Sequence, residues 1–226
     1  MKKWMLLAVV ATLFVSQVVM AGTMVLTFDQ LGNEEPVENY YAGGLGGFGT
    51  GPGPNYGITF ESNALAVTSL AQGGSGNFDG EPSCCNIVFF LSGQGDVMNV
   101  AGGFTTGFSF FYSAPVFPGS VTVWSGPDAT GTELADISLP LTPDGKTYGP
   151  PCSGSYDYCP WVPIGVSFSG TAESVNFSGT ANYIGFDDIT LGSSTPGTPE
   201  PATLLLFGSG MLGVVRQIRR RRNRKA

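Results

Sequence analysis

The stretches that decide the fold are GFTTGFSFFY, which covers Gly103–Tyr112, and SVTVWS, which covers Ser120–Ser125. In the first stretch Phe108, Phe110 and Tyr112 stand at every second position, and in the second stretch valines do the same. Successive side chains of a β-strand point to opposite faces, so a period of two is typical of a strand with one buried face. Both stretches are therefore predicted to be strands.

Similar strand-sized apolar runs recur on either side of these two stretches. They cover Met24–Phe28, Tyr56–Glu61, Asn86–Leu91, Glu133–Leu139, Val162–Ser169, Ser174–Ser178 and Tyr183–Leu191. The chain has 34 Gly and 16 Pro, which break helices and form the turns between strands. We predict an all-β fold for residues 22–192, an antiparallel β-sandwich of the jelly-roll kind. The alternative fold is a glycine-rich β-solenoid.

The N-terminus has the three parts of a signal peptide. Lys2 and Lys3 supply positive charge, Trp4–Val15 is almost wholly apolar, and the small residue Ala21 follows. An apolar core of this length is too short for a permanent membrane helix. We predict a helical signal peptide over residues 1–21 that signal peptidase removes; the alternative is an uncleaved anchor.

The C-terminus also has three parts, which follow a short linker at residues 193–198. Pro199, Glu200 and Pro201 come first, and the apolar stretch Ala202–Val215 is predicted to form a transmembrane helix. The basic cluster that closes the chain is expected to stay in the cytoplasm, so the preceding domain lies outside. Its arginines are Arg216, Arg219, Arg220, Arg221, Arg222 and Arg224.

Residues 199–226 resemble the PEP-CTERM sorting domain of Gram-negative bacteria, because the Pro-Glu-Pro sequence, the apolar stretch and the arginines occur in the same order. The resemblance implies recognition by an exosortase and cleavage near Pro199-Glu200-Pro201. The precursor would be held transiently in the inner membrane, and its body would reach the cell surface or the extracellular matrix. That matrix commonly contains exopolysaccharide. The alternative is an ordinary tail anchor.

The charge of the central region excludes one class of function. Between Gly22 and Thr198 the only cation is Lys146, against sixteen carboxylates, so the net charge is 1 − 16 = −15. Nucleic acids bind through cations that displace their counterions, and this region has almost none. We therefore predict no nucleic-acid partner. Divalent cations suit such a surface better.

Catalysis is also disfavoured by the composition. The chain has no His, so Ser-His-Asp and Cys-His arrangements are absent. The central region has no Arg to clamp a phosphate or carboxylate. A glycoside hydrolase needs only two carboxylates, but no pair among the sixteen stands out. We predict a protein that is not an enzyme, with a carboxylate-dependent glycoside hydrolase as the less favoured alternative.

The order of features in the central region resembles extracellular jelly-roll domains of the carbohydrate-binding or galactose-binding-like type. Phe28-Asp29 ends the first strand, VTVW at 121–124 precedes a turn, and Tyr183–Leu191 is the last strand. In such folds the terminal strands commonly lie side by side, and a structural cation clamps the nearby loops. The resemblance therefore implies a Ca²⁺ site at Asp29, Asp187 and Asp188. Glu34, Glu35 and Glu38 are possible additional ligands, and the alternative is that Asp187 and Asp188 face solvent.

The four cysteines are expected to form structural disulfides, because disulfides persist in exported chains. A small loop closed by Cys152 and Cys159 is the simplest pairing. Cys84 and Cys85 are adjacent, so crosslinks from them to Cys152 and Cys159 remain the alternative. A zinc site with four sulfurs does not match the usual spacing.

Several aromatic residues are candidate contacts for sugar rings, although each is also a candidate for ordinary packing. The selected contacts are Tyr41, Tyr56, Trp124 and Trp161, with Tyr40, Phe48, Tyr156 and Tyr158 as similar candidates. Together these features predict an exported surface or matrix protein, associated with exopolysaccharide or biofilm, with a structural or adhesive role. The alternative is a glycan-binding module.

Overall fold

The computed structural model describes residues 23–197. The predicted signal peptide, transmembrane helix, sorting residues and terminal arginines lie outside these residues. Within residues 23–197, no helix is long and apolar enough to cross a membrane. The described strands are β1 (Met24–Leu26), β2 (Glu35–Pro36), β3 (Ile58–Phe60), β4 (Ala64–Thr68), β5 (Asn86–Phe90), β6 (Gly95–Phe104), β7 (Gly107–Ser113), β8 (Gly119–Gly126), β9 (Thr130–Leu139), β10 (Val162–Ser167), β11 (Ala172–Gly179) and β12 (Gly185–Leu191). A 3-10 turn (Leu70–Gln72) and one helical turn, α1 (Gly145–Tyr148), complete the described elements.

The strands form two sheets that pack face to face. The larger sheet has seven strands in the order β10-β7-β12-β5-β4-β2, with β1 also paired to β12. The smaller sheet has five strands in the order β3-β6-β11-β8-β9. All of these pairs are antiparallel. The predicted antiparallel sandwich is confirmed, and the solenoid alternative is wrong.

The core lies between the two sheets and is rich in phenylalanine. Phe108 and Phe110 on β7, Phe177 on β11 and Phe186 on β12 are almost completely buried. The rings of Phe177 and Phe186 lie 4.9 Å apart in an edge-to-face arrangement, which joins the two sheets. Each fully buried phenylalanine contributes roughly 1.5–3 kcal/mol through the apolar surface that it removes from water.

Three strands differ from the sequence-based expectation: β2 and β4 were not predicted, and of β6 only the end, from Gly103, was included. The stretch Gly103–Tyr112 contains the end of β6, a turn at Thr105 and Thr106, and most of β7, with Thr106 at a φ of 81°. The sequence of β4, ALAVT, is apolar at consecutive positions and shows no alternation; β5 shares this pattern and was predicted from its longer apolar run. That pattern arises where both faces of a strand are covered.

Candidate functional site

The last strand changes its neighbour halfway along its length. On one side, β12 pairs first with β5, through Phe186 and Val88, and then with β1, through Ile189 and Leu26. On its other side the pairing with β7 shifts register between Asp187 and Thr190. β1 ends and β5 begins at one place beside β12. We call this place the strand junction. The terminal strands thus lie side by side, as the jelly-roll resemblance implies.

Three carboxylates meet at the strand junction: Asp29, Asp187 and Asp188, which we call the carboxylate cluster. Asp187 and Asp188 are fully buried, and Asp29 is half-buried. The backbone N–H of Ser83 donates to Asp187 Oδ2 at 3.1 Å, and its hydroxyl lies 3.0 Å from both Asp187 oxygens. Asp29 accepts a hydrogen bond of 3.3 Å from the N–H of Asn86. The cluster is therefore buried and organised by the loop that leads into β5.

Asp188 stands in an unusual position within the cluster. Its backbone φ is 47°, which is uncommon for a residue other than glycine and fits the register shift. Among the described residues, none donates a well-formed hydrogen bond to either of its carboxylate oxygens. Buried carboxylate oxygens without donors are costly, so this position favours a cation or a proton.

The pKa values of all three carboxyls are raised. Burial raises the pKa of Asp187 well above its ordinary value, and the neighbouring Asp188 raises it further. Burial raises the pKa of Asp188 to about 6, with the Asp29 charge adding to the shift against the effect of the nearby Ser83 hydroxyl. Burial also raises the pKa of Asp29, and Glu81 adds a smaller effect of the same sign. The cluster holds more negative charge than its surroundings stabilise.

The donor set of the cluster suits a hard cation such as Ca²⁺, which binds carboxylate, hydroxyl and carbonyl oxygens. The Ser83 hydroxyl also lies 3.4 Å from the Thr27 carbonyl oxygen, so carboxylate, hydroxyl and carbonyl oxygens lie near one another. Within residues 23–197, one group of three acidic or cysteine side chains has its ligand atoms within 4.8 Å of one another. It consists of Asp79, Cys152 and Cys159. The three carboxylates of the cluster are not that close together, so they would have to move nearer to one another to share one ion.

Two of the three glutamates expected as additional ligands, Glu34 and Glu35, have hydrogen-bond partners elsewhere. Glu34 bonds to the Ser75 hydroxyl at 2.6 Å, and Glu35 accepts backbone hydrogen bonds from Phe48 and Thr50 in the glycine-rich loop, which covers Gly43–Gly57. Ser83 and Glu81 take their place beside the cluster. Sequence reasoning missed Ser83 because it is 104 residues from Asp187, and no local pattern marks it.

A second feature is an open cleft on the outer face of the larger sheet, which we call the aromatic cleft. Its floor consists of two cross-strand pairs of β4 and β5, Leu65 with Phe89 and Val67 with Ile87. Because both strands are apolar at consecutive positions, their outward-pointing side chains are apolar as well as their core side chains. The cleft has a volume of about 550 Å³.

One end of the aromatic cleft is closed by Trp161 and Phe78, whose rings lie 5.9 Å apart in an edge-to-face arrangement. Trp161 rests on β12 at Gly185, where a Cβ would come within 2.9 Å of the indole ring. The indole N–H donates to the Asp79 carbonyl oxygen at 3.0 Å, which fixes the ring orientation. Trp161 is therefore a rigid wall of the cleft.

The rim of the cleft combines aromatic rings with polar groups. The Tyr158 hydroxyl donates to the Asn182 carbonyl oxygen at 3.3 Å. Tyr183 is 38 % exposed, and its ring packs edge-on against Phe117 at 4.9 Å. The residues on the rim are Glu34, Ser75, Asn77, Asp157, Tyr158, Asn182 and Tyr183.

The four selected aromatic contacts lie in different places. Trp161 lines the aromatic cleft. Tyr41 is only 4 % exposed and packs against Phe28 in the core, which removes it from the candidate contacts. Tyr56 is exposed and stacks on Tyr41, and Trp124 is half-buried on the smaller sheet, with its indole N–H bonded to the Thr122 hydroxyl.

Both cysteine pairs are disulfides in the described residues. Cys152 joins Cys159, the pairing that sequence reasoning treated as simplest, and closes the loop that precedes Trp161. Cys84 joins Cys85 rather than the more distant cysteines. This second disulfide directly follows Ser83, beside the carboxylate cluster.

Comparison with known proteins locates a PEP-CTERM protein-sorting motif at residues 197–222. A chain that carries this motif is an exported surface protein. The residues of the motif from Thr198 onward, including Pro199, Glu200, Pro201 and the arginines, lie outside the described residues. No curated protein matches the sequence.

Three solved structures illustrate the similarity of the described domain to known folds. The K2 cleaved adhesin domain of Lys-gingipain has 13 % identity and a TM-score of 0.46, over 75 % of this chain and 99 % of that one. A carbohydrate-binding module from Cellvibrio mixtus lichenase 5A, in complex with cellotriose, has 15 % identity and a TM-score of 0.35, over 57 % and 86 %. A β-1,3-glucan-binding module from Bacillus halodurans has 15 % identity and a TM-score of 0.32, over 63 % and 87 %.

Proposed function

We propose that this chain is an exosortase-processed surface or extracellular-matrix protein that adheres to extracellular polysaccharide through the aromatic cleft. The sorting motif supports the processing step, in which cleavage near Pro199-Glu200-Pro201 releases the domain from its membrane segment. The cleft supports the adhesive step. Its role is non-enzymatic and belongs to the exopolysaccharide or biofilm matrix.

The observation that carries the adhesive role is a cleft with an apolar floor and aromatic walls, in which Phe89 is partly exposed and Tyr183 is exposed. A cleft of about 550 Å³ lies within the range of ligand-binding sites and suits a short segment of a sugar chain. Sugar rings have apolar C–H faces that pack on aromatic rings and hydroxyl edges that need polar partners. The rings of Phe89, Trp161 and Tyr183 suit the apolar faces of a sugar. The amides of Asn77 and Asn182 suit its hydroxyl groups.

The carboxylates on the rim support binding more than catalysis. A general acid of a glycoside hydrolase needs a raised pKa. Asp157 has the opposite property, because hydrogen bonds from Lys146 and Asn77 lower its pKa. The carboxyls with raised pKa values are Asp29, Asp96, Asp187 and Asp188, and none of them lines the aromatic cleft.

The proposal includes one structural Ca²⁺ at the carboxylate cluster. Asp29, Asp187 and Asp188 would hold it, with the Ser83 hydroxyl close by. The bound ion would supply the positive charge that these buried carboxylates lack. It would thereby hold the end of β1, the start of β5 and the middle of β12 together.

The adhesive step is tested with the secreted protein and the host's own polysaccharide, by electrophoresis through gels that contain the polymer. Tyr183→Ala is expected to weaken retention about fivefold to tenfold, because it removes an exposed ring from the cleft. Tyr148→Ala is the matched control, since Tyr148 is 50 % exposed but does not line the cleft. Equal retention of wild type and Tyr183→Ala would contradict the proposal.

The processing step is tested by the intact mass of the protein released from its host. The expected mass corresponds to a chain that ends near Pro199-Glu200-Pro201. A secreted product that still contains Arg224 and Lys225 would show that the tail is a permanent anchor.

A further inference from the structure

We propose that the aromatic cleft takes an uncharged glycan and rejects polysaccharides that carry carboxylate or sulfate groups. This inference rests on the proposed adhesive function and adds the chemical class of the ligand. It is argued from the placement of charge around the cleft.

The first step is the position of the single cation in residues 23–197. Lys146 Nζ lies 2.7 Å from Asp157 Oδ1, so its charge is already paired with a carboxylate of the rim. Asn77 Nδ2 donates to the other oxygen of Asp157 at 2.5 Å. Lys146 itself does not line the cleft. An anionic sugar therefore meets no unpaired cation among the described residues.

The second step is the pair of carboxylates that the cleft presents. Glu34 is exposed on the rim and accepts a hydrogen bond from the Ser75 hydroxyl at 2.6 Å. Asp157 remains ionised at neutral pH, because the hydrogen bond from Lys146 and the one from Asn77 lower its pKa. Asp157 shares its charge with Lys146, so a uronate or a sulfate placed in the cleft would mainly face the charge of Glu34, in a domain of net charge 1 − 16 = −15.

The third step is that the same groups suit a neutral sugar. Ionised carboxylates accept hydrogen bonds from hydroxyl groups, and such charge-assisted bonds are stronger than neutral ones. The rim carries Glu34 and Asp157 as acceptors, and the amides of Asn77 and Asn182 provide both donors and acceptors. The apolar floor supplies the remaining contact area. Specificity thus comes from a repulsive element as well as an attractive one.

The experiment compares two forms of one polymer: a polyuronate and the same material after its carboxyl groups have been reduced to alcohols. The secreted protein is expected to bind the reduced form at least about fivefold more tightly at 0.05 M NaCl. Raising NaCl to 0.5 M is expected to improve binding of the acidic form and leave binding of the reduced form unchanged, since salt screens the repulsion.

Charge variants locate the effect. Glu34→Gln removes one negative charge from the rim without disturbing the Lys146–Asp157 ion pair, and it is expected to strengthen binding of the acidic form about threefold. Glu133→Gln removes one charge from an exposed position of β9 on the other sheet and is the matched control. The control is expected to change binding less than twofold.

The outcomes separate this inference from the function on which it rests. If neither polymer form is retained, or if Tyr183→Ala has no effect on the reduced form, the adhesive function itself fails. If retention depends on Tyr183 but the acidic form binds more tightly than the reduced form, only the inference about ligand charge is overturned. Binding of the acidic form that weakens as salt rises would lead to the same conclusion.

Discussion

Two buried carboxylates of this domain, Glu35 and Asp188, differ in the hydrogen-bond donors around them. Glu35 is fully buried, and its Oε1 accepts from the backbone N–H groups of Phe48 and Thr50, both at 3.0 Å, while Oε2 accepts from Gly32 N–H at 2.6 Å. Asp188 is equally buried, but among residues 23–197 no well-formed donor reaches its oxygens. The residue types are closely related, and the surroundings differ.

The difference in donors accounts for the difference in charge. Burial alone raises the pKa of Glu35, but hydrogen bonds from the Thr50 hydroxyl and from the backbone of Gly32, Thr50 and Phe48 outweigh it and lower the pKa. Burial raises the pKa of Asp188 to about 6 with much less compensation. Glu35 is thus stabilised as an anion by the protein itself, whereas Asp188 requires a proton or a cation.

The largest expected effect follows from replacing Glu35. Glu35→Ala leaves the N–H groups of Gly32, Phe48 and Thr50 without their acceptor, which should lower the free energy of unfolding by about 4 kcal/mol. Glu35→Gln keeps one acceptor oxygen and should cost about 2 kcal/mol. Denaturant unfolding of the secreted protein measures both, with the exposed Glu133→Ala as the control.

The pH dependence of this effect has a definite sign. The folded pKa of Glu35 lies below its ordinary value of 4.5, so its contribution to stability is present above about pH 4.5. That contribution is lost as the pH falls through the lower, folded pKa. A Glu35→Ala cost below about 1 kcal/mol at pH 7 would show that the glycine-rich loop does not depend on this carboxylate.

Calcium removal is expected to have the next largest effect. If Ca²⁺ binds the folded carboxylate cluster, a free concentration of one hundred times its Kd stabilises the fold by about 2.7 kcal/mol. A chelator should then lower the Tm by about 5–10 °C. Asp188→Asn should abolish this difference, whereas Glu35→Gln should lower the Tm with and without chelator alike. An unchanged Tm after chelation would exclude the metal.

The fold could be predicted from the sequence where one face of a strand is buried. Phe108, Phe110 and Tyr112 alternate because only one side of β7 faces the core, and this period of two is readable. The strand β4 is covered by apolar contacts on both faces, so it has no period to read. The aromatic cleft lies on the outer face of β4 and β5. Its apolar floor is also the reason that β4 shows no alternation in the sequence.

More residues of the carboxylate cluster than of the aromatic cleft were predicted from the sequence. Asp29, Asp187 and Asp188 were identified together because terminal strands of a jelly roll are neighbours. The donor Ser83 was not, since only the folded chain brings it to Asp187. Trp161 was selected as a candidate sugar contact and lines the cleft, but Tyr183 was not selected, because it begins a run that was counted as strand. Tyr41 was selected, and its burial beneath the glycine-rich loop is a property of the tertiary fold.

A third buried carboxylate, Asp96 on β6, has neither the donors of Glu35 nor the neighbours of Asp188. It is 3 % exposed, and no described residue donates a well-formed hydrogen bond to its oxygens. Burial raises its pKa to about 8 from an ordinary 3.8, and the charge of Glu61 adds to the shift. Between about pH 4 and pH 8, the folded state therefore keeps a proton on Asp96 that the unfolded state has already released.

The smallest predicted effect follows from this proton. Because the folded pKa of Asp96 is raised, its contribution to stability is present at low pH and is lost as the pH rises toward 8. Asp96→Asn cannot ionise, so, if the two are matched at pH 6, it should be more stable than wild type by roughly 2 kcal/mol at pH 8. Thermal unfolding across this range measures the difference, with the exposed Asp136→Asn as the control. Parallel curves for wild type and Asp96→Asn would show that Asp96 is ionised in the folded state, and that burial without donors does not suffice to hold a proton in this core.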